Sequence, residues 1–174
     1  KGSNLFKSKR GLIYKAPFLL NSPLRTVIKD KNALLILLIC CLVSRILTTI
    51  YYIEDTDSLR FALSISDYDI TKLQPHFPGY PIFCFLAKIL YLFTKSFAVS
   101  FSILGGVAVF CIIYFLLKIL KINLYSVPGL LLVGIVFFNP LLWIMGNRYM
   151  PDLFGLAMVI SSFYFLSGEK KHKN

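Results

Sequence analysis

The chain has 174 residues, of which 57% are hydrophobic, and a mean hydropathy of +0.72. Soluble domains lie nearer about 45–50% apolar. Several long, nearly uncharged runs exclude an ordinary soluble fold, and with it a soluble basic nucleic-acid binder. The net charge of +11 is unevenly placed and reads as membrane topology.

Residues 1–32 form a basic head. Lys1, Lys7, Lys9, Arg10, Lys15, Arg25, Lys29 and Lys31 stand there against Asp30 alone, and the positive-inside rule holds such a head in the cytosol. Leu12–Leu20 reads as a short interfacial helix, interrupted by Pro17 and ended near Pro23. Ala33–Ile53 is 21 residues, enough for one span at about 1.5 Å per residue. Its one charge, Arg45, is expected to face the protein interior, in a structural role. The first apolar run is too long and starts too late for a cleavable signal peptide. The chain starts without Met and stops shortly after an apolar helix, so the N-terminal part of a larger protein is expected.

The next stretch, Glu54–Pro81, is polar. Up to residue 79 it carries Glu54, Asp55, Asp57, Asp67 and Asp69 against Arg60 and Lys72, a local charge of −3. An acidic loop outside agrees with a basic head inside. Asp57–Ser66 has helical apolar spacing, with Leu59, Ala62 and Leu63 on one side and Phe61 and Ile65 beside them. It reads as a helix lying on the membrane surface, with Asp57 as its N-cap. Pro75, Pro78, Gly79 and Pro81 then make a rigid turn into the next helix.

Residues 81–93 are apolar but short for a span, with Lys88 inside. Phe97–Leu117 is long enough to span, and Lys118 and Lys121 follow it. Pro128–Met145 is a second such run, closed by Gly146–Asp152. Leu153–Leu166 is shorter and leads to a basic tail, residues 169–174. With 81–93 not crossing, every basic cluster between spans falls inside, and Asp57 and Asp152 share the outer face. The expected class is all-α: a multi-pass transmembrane bundle, residues 33–168, with surface helices in its first outer loop, 54–80. The expected location is the cell (inner) membrane. Cys40, Cys41, Cys84 and Cys111 lie in apolar runs without metal-ligand spacing and read as small core residues.

Chemistry is sought where carboxylates and cations meet the bilayer surface. Asp57 stands one turn past the first span, where a partly desolvated carboxylate suits general-base work. Glu54 and Asp55 are secondary candidates, as oxygen ligands for a divalent cation or as a solvated acidic flank that enforces topology. Arg60, three residues after Asp57 on the same helical face, either pairs with it or grips a phosphate. His76, within the proline-rich turn, is placed to touch a phosphate or an acceptor sugar. Asp152 follows Pro151 at the start of the last run, in ordinary capping position, with Arg148 and Tyr149 beside it.

These residues carry a resemblance. Asp57-Ser58-Leu59-Arg60-Phe61-Ala62, Tyr68-Asp69 and Pro75-His76-Phe77-Pro78-Gly79-Tyr80-Pro81 resemble the first outer loop of GT-C glycosyltransferases, in particular the protein O-mannosyltransferase and aminoarabinose-transferase types. Asn139-Pro140 and Arg148-Tyr149-Met150-Pro151-Asp152 resemble their second motif. The resemblance spans roughly residues 33–166 and implies sugar transfer from a polyprenyl-phosphate donor to a hydroxyl of a glycan, lipid or protein on the outer face. It implies Asp57 as general base and Asp152 nearby, the two available to hold a divalent metal (Mg, Mn or Zn). Arg60, His76 and Arg148 are then candidates to stabilise the departing phosphate. Membrane lipids are implied partners and nucleic acid is not. The chain departs from the family in having about four spans where the family has many more. The rival reading is a non-catalytic membrane scaffold or transporter fragment. Transport predicts polar residues lining a path at mid-bilayer, where this chain offers little beyond Arg45.

Overall fold

In a computed structural model, residues 31–169 are described; the basic head up to residue 30, with its expected interfacial helix, and the tail from residue 170 lie outside them. The described residues are all-helical, with no strand: α1 (Lys31–Leu47), α2 (Thr56–Ser66), α3 (Pro81–Thr94), α4 (Phe97–Leu120), α5 (Val127–Phe137), α6 (Pro140–Met145) and α7 (Asp152–Glu169), plus a 3-10 turn at Ile70–Lys72.

α4 is the axis, with α1, α3, α5 and α7 packed around it. Its start lies beside the end of α1, where the Thr49 and Ser102 hydroxyls are 3.0 Å apart. α1 therefore runs antiparallel to α4. α7 runs parallel to it: Phe154 meets Phe83, which meets Phe101, while Tyr164 and Phe165 meet Phe115 further down. Between them α5 and α6 climb back. Glu54–Pro81 and Arg148–Asp152 consequently share one end of the bundle, the loop end, and Lys118 and Lys121 lie at the other.

α3 does not run the length of α4. Phe83 meets Phe101 at a tilt, Tyr91 stacks on Phe97, and the Thr94 and Ser100 hydroxyls are 2.8 Å apart. All these partners belong to the first turns of α4, so α3 crosses the loop end. The apolar core divides accordingly. One cluster joins α1, the lower half of α4, α5 and α7 through Cys41, Val109, Ile113, Leu117 and Leu153. The other joins α2, α3 and the top of α4 through Phe61, Ile65, Cys84, Ala87 and Phe101. α4 is the one described helix long and apolar enough to cross a membrane.

Four sequence expectations change. The run Ala33–Ile53 is not one helix, because α1 stops at Leu47. Thr48 and Thr49 bend their hydroxyls back onto the Ser44 and Arg45 carbonyls, a competing bond that disfavours further helix. Asn147 then captures the Thr48 carbonyl at 3.0 Å. The run Pro128–Met145 is likewise broken at Phe138-Asn139. The Asn139 side chain accepts from the amides of Leu141 and Leu142, and Pro140 occupies the first helical position, where its missing N–H costs nothing. On α2 the buried residues are Ser58, Phe61, Ala62 and Ile65, an i, i+3, i+4, i+7 stripe, with Ser64 beside them. Leu59 and Leu63, expected on the apolar side, are each 40% exposed. The N-cap of α2 is Asp55, whose carboxylate accepts from the Ser58 amide at 2.7 Å; Asp57 stands inside the first turn.

Candidate functional site at the loop end

The loop 54–80 brings five acids to this end, and their partners sort them. Asp69 accepts from the Thr71 amide and hydroxyl, and Lys72 reaches Asp67 at 2.8 Å and Asp69 at 3.5 Å. These bonds pull the Asp69 carboxyl below its usual range, and the two acids push the Lys72 ammonium above its own. That turn is self-contained.

Glu54 and Asp55 close on Arg148, nearly a hundred residues later. Arg148 Nε lies 2.7 Å from Glu54 Oε2, as an ion pair without hydrogen-bond alignment, and Nη2 donates to Asp55 Oδ2. The fork geometry of guanidinium suits two carboxylates at once. The Ser58 amide holds the Asp55 carboxyl below its ordinary range against the opposing effect of burial, and Arg148 adds a smaller pull in the same direction. Two further bonds reinforce this seam: the Tyr149 hydroxyl donates to the Ile50 carbonyl at 2.9 Å, and Asn147 donates to Thr48. The first loop and the α6–α7 junction are thereby one structure.

Asp57 is left differently placed. Its Oδ1 is 3.2 Å from Arg60 Nη1 and 3.7 Å from His76 Nδ1, and its side chain is 44% exposed. His76 is held from behind by rings: Phe61 meets it edge-on at 5.3 Å and Tyr80 at 6.0 Å. Its Nδ1 is buried without a hydrogen-bond partner. The turn that presents it has cis bonds before Pro75 and Pro78 and left-handed backbone at Gly79 and Tyr80. Carboxylate, guanidinium and imidazole thus converge on one accessible spot.

Asp152 stands in the first turn of α7, exposed, where the helix dipole favours a carboxylate. It is at the same end as Asp57, but among the described residues it joins none of these ion pairs. Nor do three His, Cys, Asp or Glu side chains gather as metal ligands among the described residues. Arg45 is fully buried, as expected; its guanidinium lies 4.1 Å over the Trp143 ring and Nη1 donates to the Trp143 carbonyl.

Sequence reasoning named Arg148 but missed its partners, because a contact across some ninety residues leaves no local signature. Phe61 and Tyr80 as the frame of His76 were equally hidden: both read as packing aromatics. Against known protein families, curated proteins and solved structures, the chain finds no match.

Proposed function

We propose that this chain belongs to a multi-pass membrane glycosyltransferase of the cell (inner) membrane, its N-terminus cytoplasmic and its loop end outward. It would pass a sugar from a polyprenyl-phosphate donor to a hydroxyl acceptor. The observation that carries the reading is Asp57: among the described loop acids it is the one that both a guanidinium and an imidazole face, and 44% of its side chain stays exposed. The acceptor hydroxyl gives its proton to Asp57 as its oxygen attacks the anomeric carbon. The bond from that carbon to the phosphate oxygen breaks, and the phosphate leaves with the electron pair. Arg60 and His76 are near enough to hold that negative charge. Arg148, already matched by two carboxylates, is assigned to holding the loop. Asp152 supplies a second carboxylate from α7; Asp57 and Asp152 are the residues that would hold a divalent cation, which would neutralise charge on the leaving phosphate.

The bilayer setting is supported by apolar side chains left outside the helices. Ile36 and Ile39 on α1, Leu131 and Ile135 on α5, and Val159 and Phe163 on α7 are all exposed, a distribution that suits lipid better than water.

The scaffold reading has one observation in its favour, the mutual saturation of Glu54, Asp55 and Arg148. A single variant separates the two. With a radiolabelled polyprenyl-phosphate sugar and a hydroxyl acceptor in vesicles, Asp57→Asn lowers turnover about 100- to 10,000-fold. Equal turnover in Asp57→Asn and the parent chain, or none in either, sinks the enzymatic reading.

A further inference from the structure

A cavity lies away from Asp57, between the end of α2 and the outer side of α3. It holds about 530 Å³, with Ser64 and Tyr68 on one side, Ile82, Phe85 and Lys88 on the other, and buried Cys84 between them. That volume is within the usual range of ligand sites, about 300–1,000 Å³. Its walls are almost wholly apolar, and its polar groups are spent on the protein itself. The Ser64 hydroxyl donates to the Phe61 carbonyl at 2.7 Å, and the Tyr68 hydroxyl to the Gly79 carbonyl at 3.0 Å. Lys88 is the exception: it is exposed, it is the one charge along the cavity, and it joins no ion pair among the described residues.

We propose that this slot binds one acyl chain of an anionic phospholipid, with the headgroup phosphate on Lys88. An occupant needs a long apolar body and a single anionic group, because the walls offer nothing else to bond. An extended peptide would bring amides that find no partner there. Leu92 and Phe93 are also exposed on the same helix, beyond Lys88, so a bilayer lying against α3 covers both them and the slot. The ammonium reaches along its flexible stem to the phosphate level while the chain stays below. This inference rests on insertion in a membrane and not on glycosyl transfer.

The test is photocrosslinking in phosphatidylcholine vesicles. Phosphatidylglycerol carrying a photoreactive acyl chain is compared with the same chain on phosphatidylcholine, and the labelled peptides are mapped. Phosphatidylglycerol is expected to label the α2–α3 region about fivefold more strongly, the factor one lysine contributes near an anionic headgroup. Lys88→Gln removes that preference. Ile82→Trp, at an exposed wall position that leaves the core intact, lowers labelling by both lipids. Excess inorganic phosphate does not compete, since it lacks the chain. Equal labelling by the two lipids in the parent chain, a preference that survives Lys88→Gln, competition by free phosphate, or labelling elsewhere than α2–α3 overturns the proposal.

Discussion

Asp57 and Asp55 are two residues apart and do different work. Asp55 faces back toward its helix and toward Arg148, so its charge is consumed by structure. Asp57 projects past the cap, half-exposed, between the half-buried Arg60 and His76. Truncating Arg148 to Ala leaves two partly buried carboxylates without their cation. We expect a loss of about 1–2 kcal/mol, between the values for exposed and fully buried pairs, read as a lower thermal midpoint in detergent. Arg148→Lys restores the charge but not the fork and recovers part of it. Glu54→Gln is expected to lower stability with transfer little changed, unlike Asp57→Asn. The pH dependence follows from Asp55. Its folded carboxyl titrates below the ordinary value of 3.8. Its contribution is therefore complete above that value and is lost as pH falls through the lower folded one. Acid unfolding of the parent chain, followed by circular dichroism, should lose in Asp55→Asn the part of its slope that lies below about pH 4.

The elements depend on close backbone approach. A Cβ on Gly105 of α4 would stand 1.8 Å from the Gly146 carbonyl oxygen, so α4 and the end of α6 meet backbone to backbone, the small-residue packing typical of membrane helices. Gly105→Ala must push them apart. It is expected to destabilise by about 1–3 kcal/mol, as overpacking does, and to loosen the Arg148 seam just beyond; faster proteolysis of residues 147–151 would report it. Gly79 is different: at φ +88° an L side chain is strained, and a Cβ there also meets the Tyr68 hydroxyl at 2.8 Å. Gly79→Ala is expected to disturb the His76 turn while leaving α4 and α7 unaffected, which hydrogen exchange by segment would resolve. Asn139→Ala removes the cap of α6, a loss of about 1 kcal/mol, measurable by the same thermal assay.

At the scale of the whole molecule, the antiparallel α1, descending α4, returning α5–α6 and descending α7 put both motif segments at one end and the lysine pair at the other. The charge pattern leads to the same arrangement by a separate route, since basic residues stay inside. In sealed cells, Tyr52→Cys is expected to react with a membrane-impermeant maleimide, and Leu120→Cys only after permeabilisation. Reaction of both from outside would break the topology. The crossing of α3 over the loop end accounts for its 14 residues: a helix of that length falls short of the roughly 20 that a span needs.

What the sequence determined was the helical class, the identity of the polar loop and the end-to-end placement of its charges. Periodicity, run length and lysine position are local or additive signals, and they survive without knowledge of contacts. It did not determine where helices stop. Leu47 ends α1 partly because Asn147 takes the next carbonyl, and that bond exists only once α6 has folded back. Nor did it sort the acids: Glu54, Asp55 and Asp57 are neighbours of one type, and only the approach of Arg148 from the far motif commits the first two and leaves Asp57 accessible. The slot beside Lys88 was invisible for the same reason, being the space between two helices and belonging to neither alone.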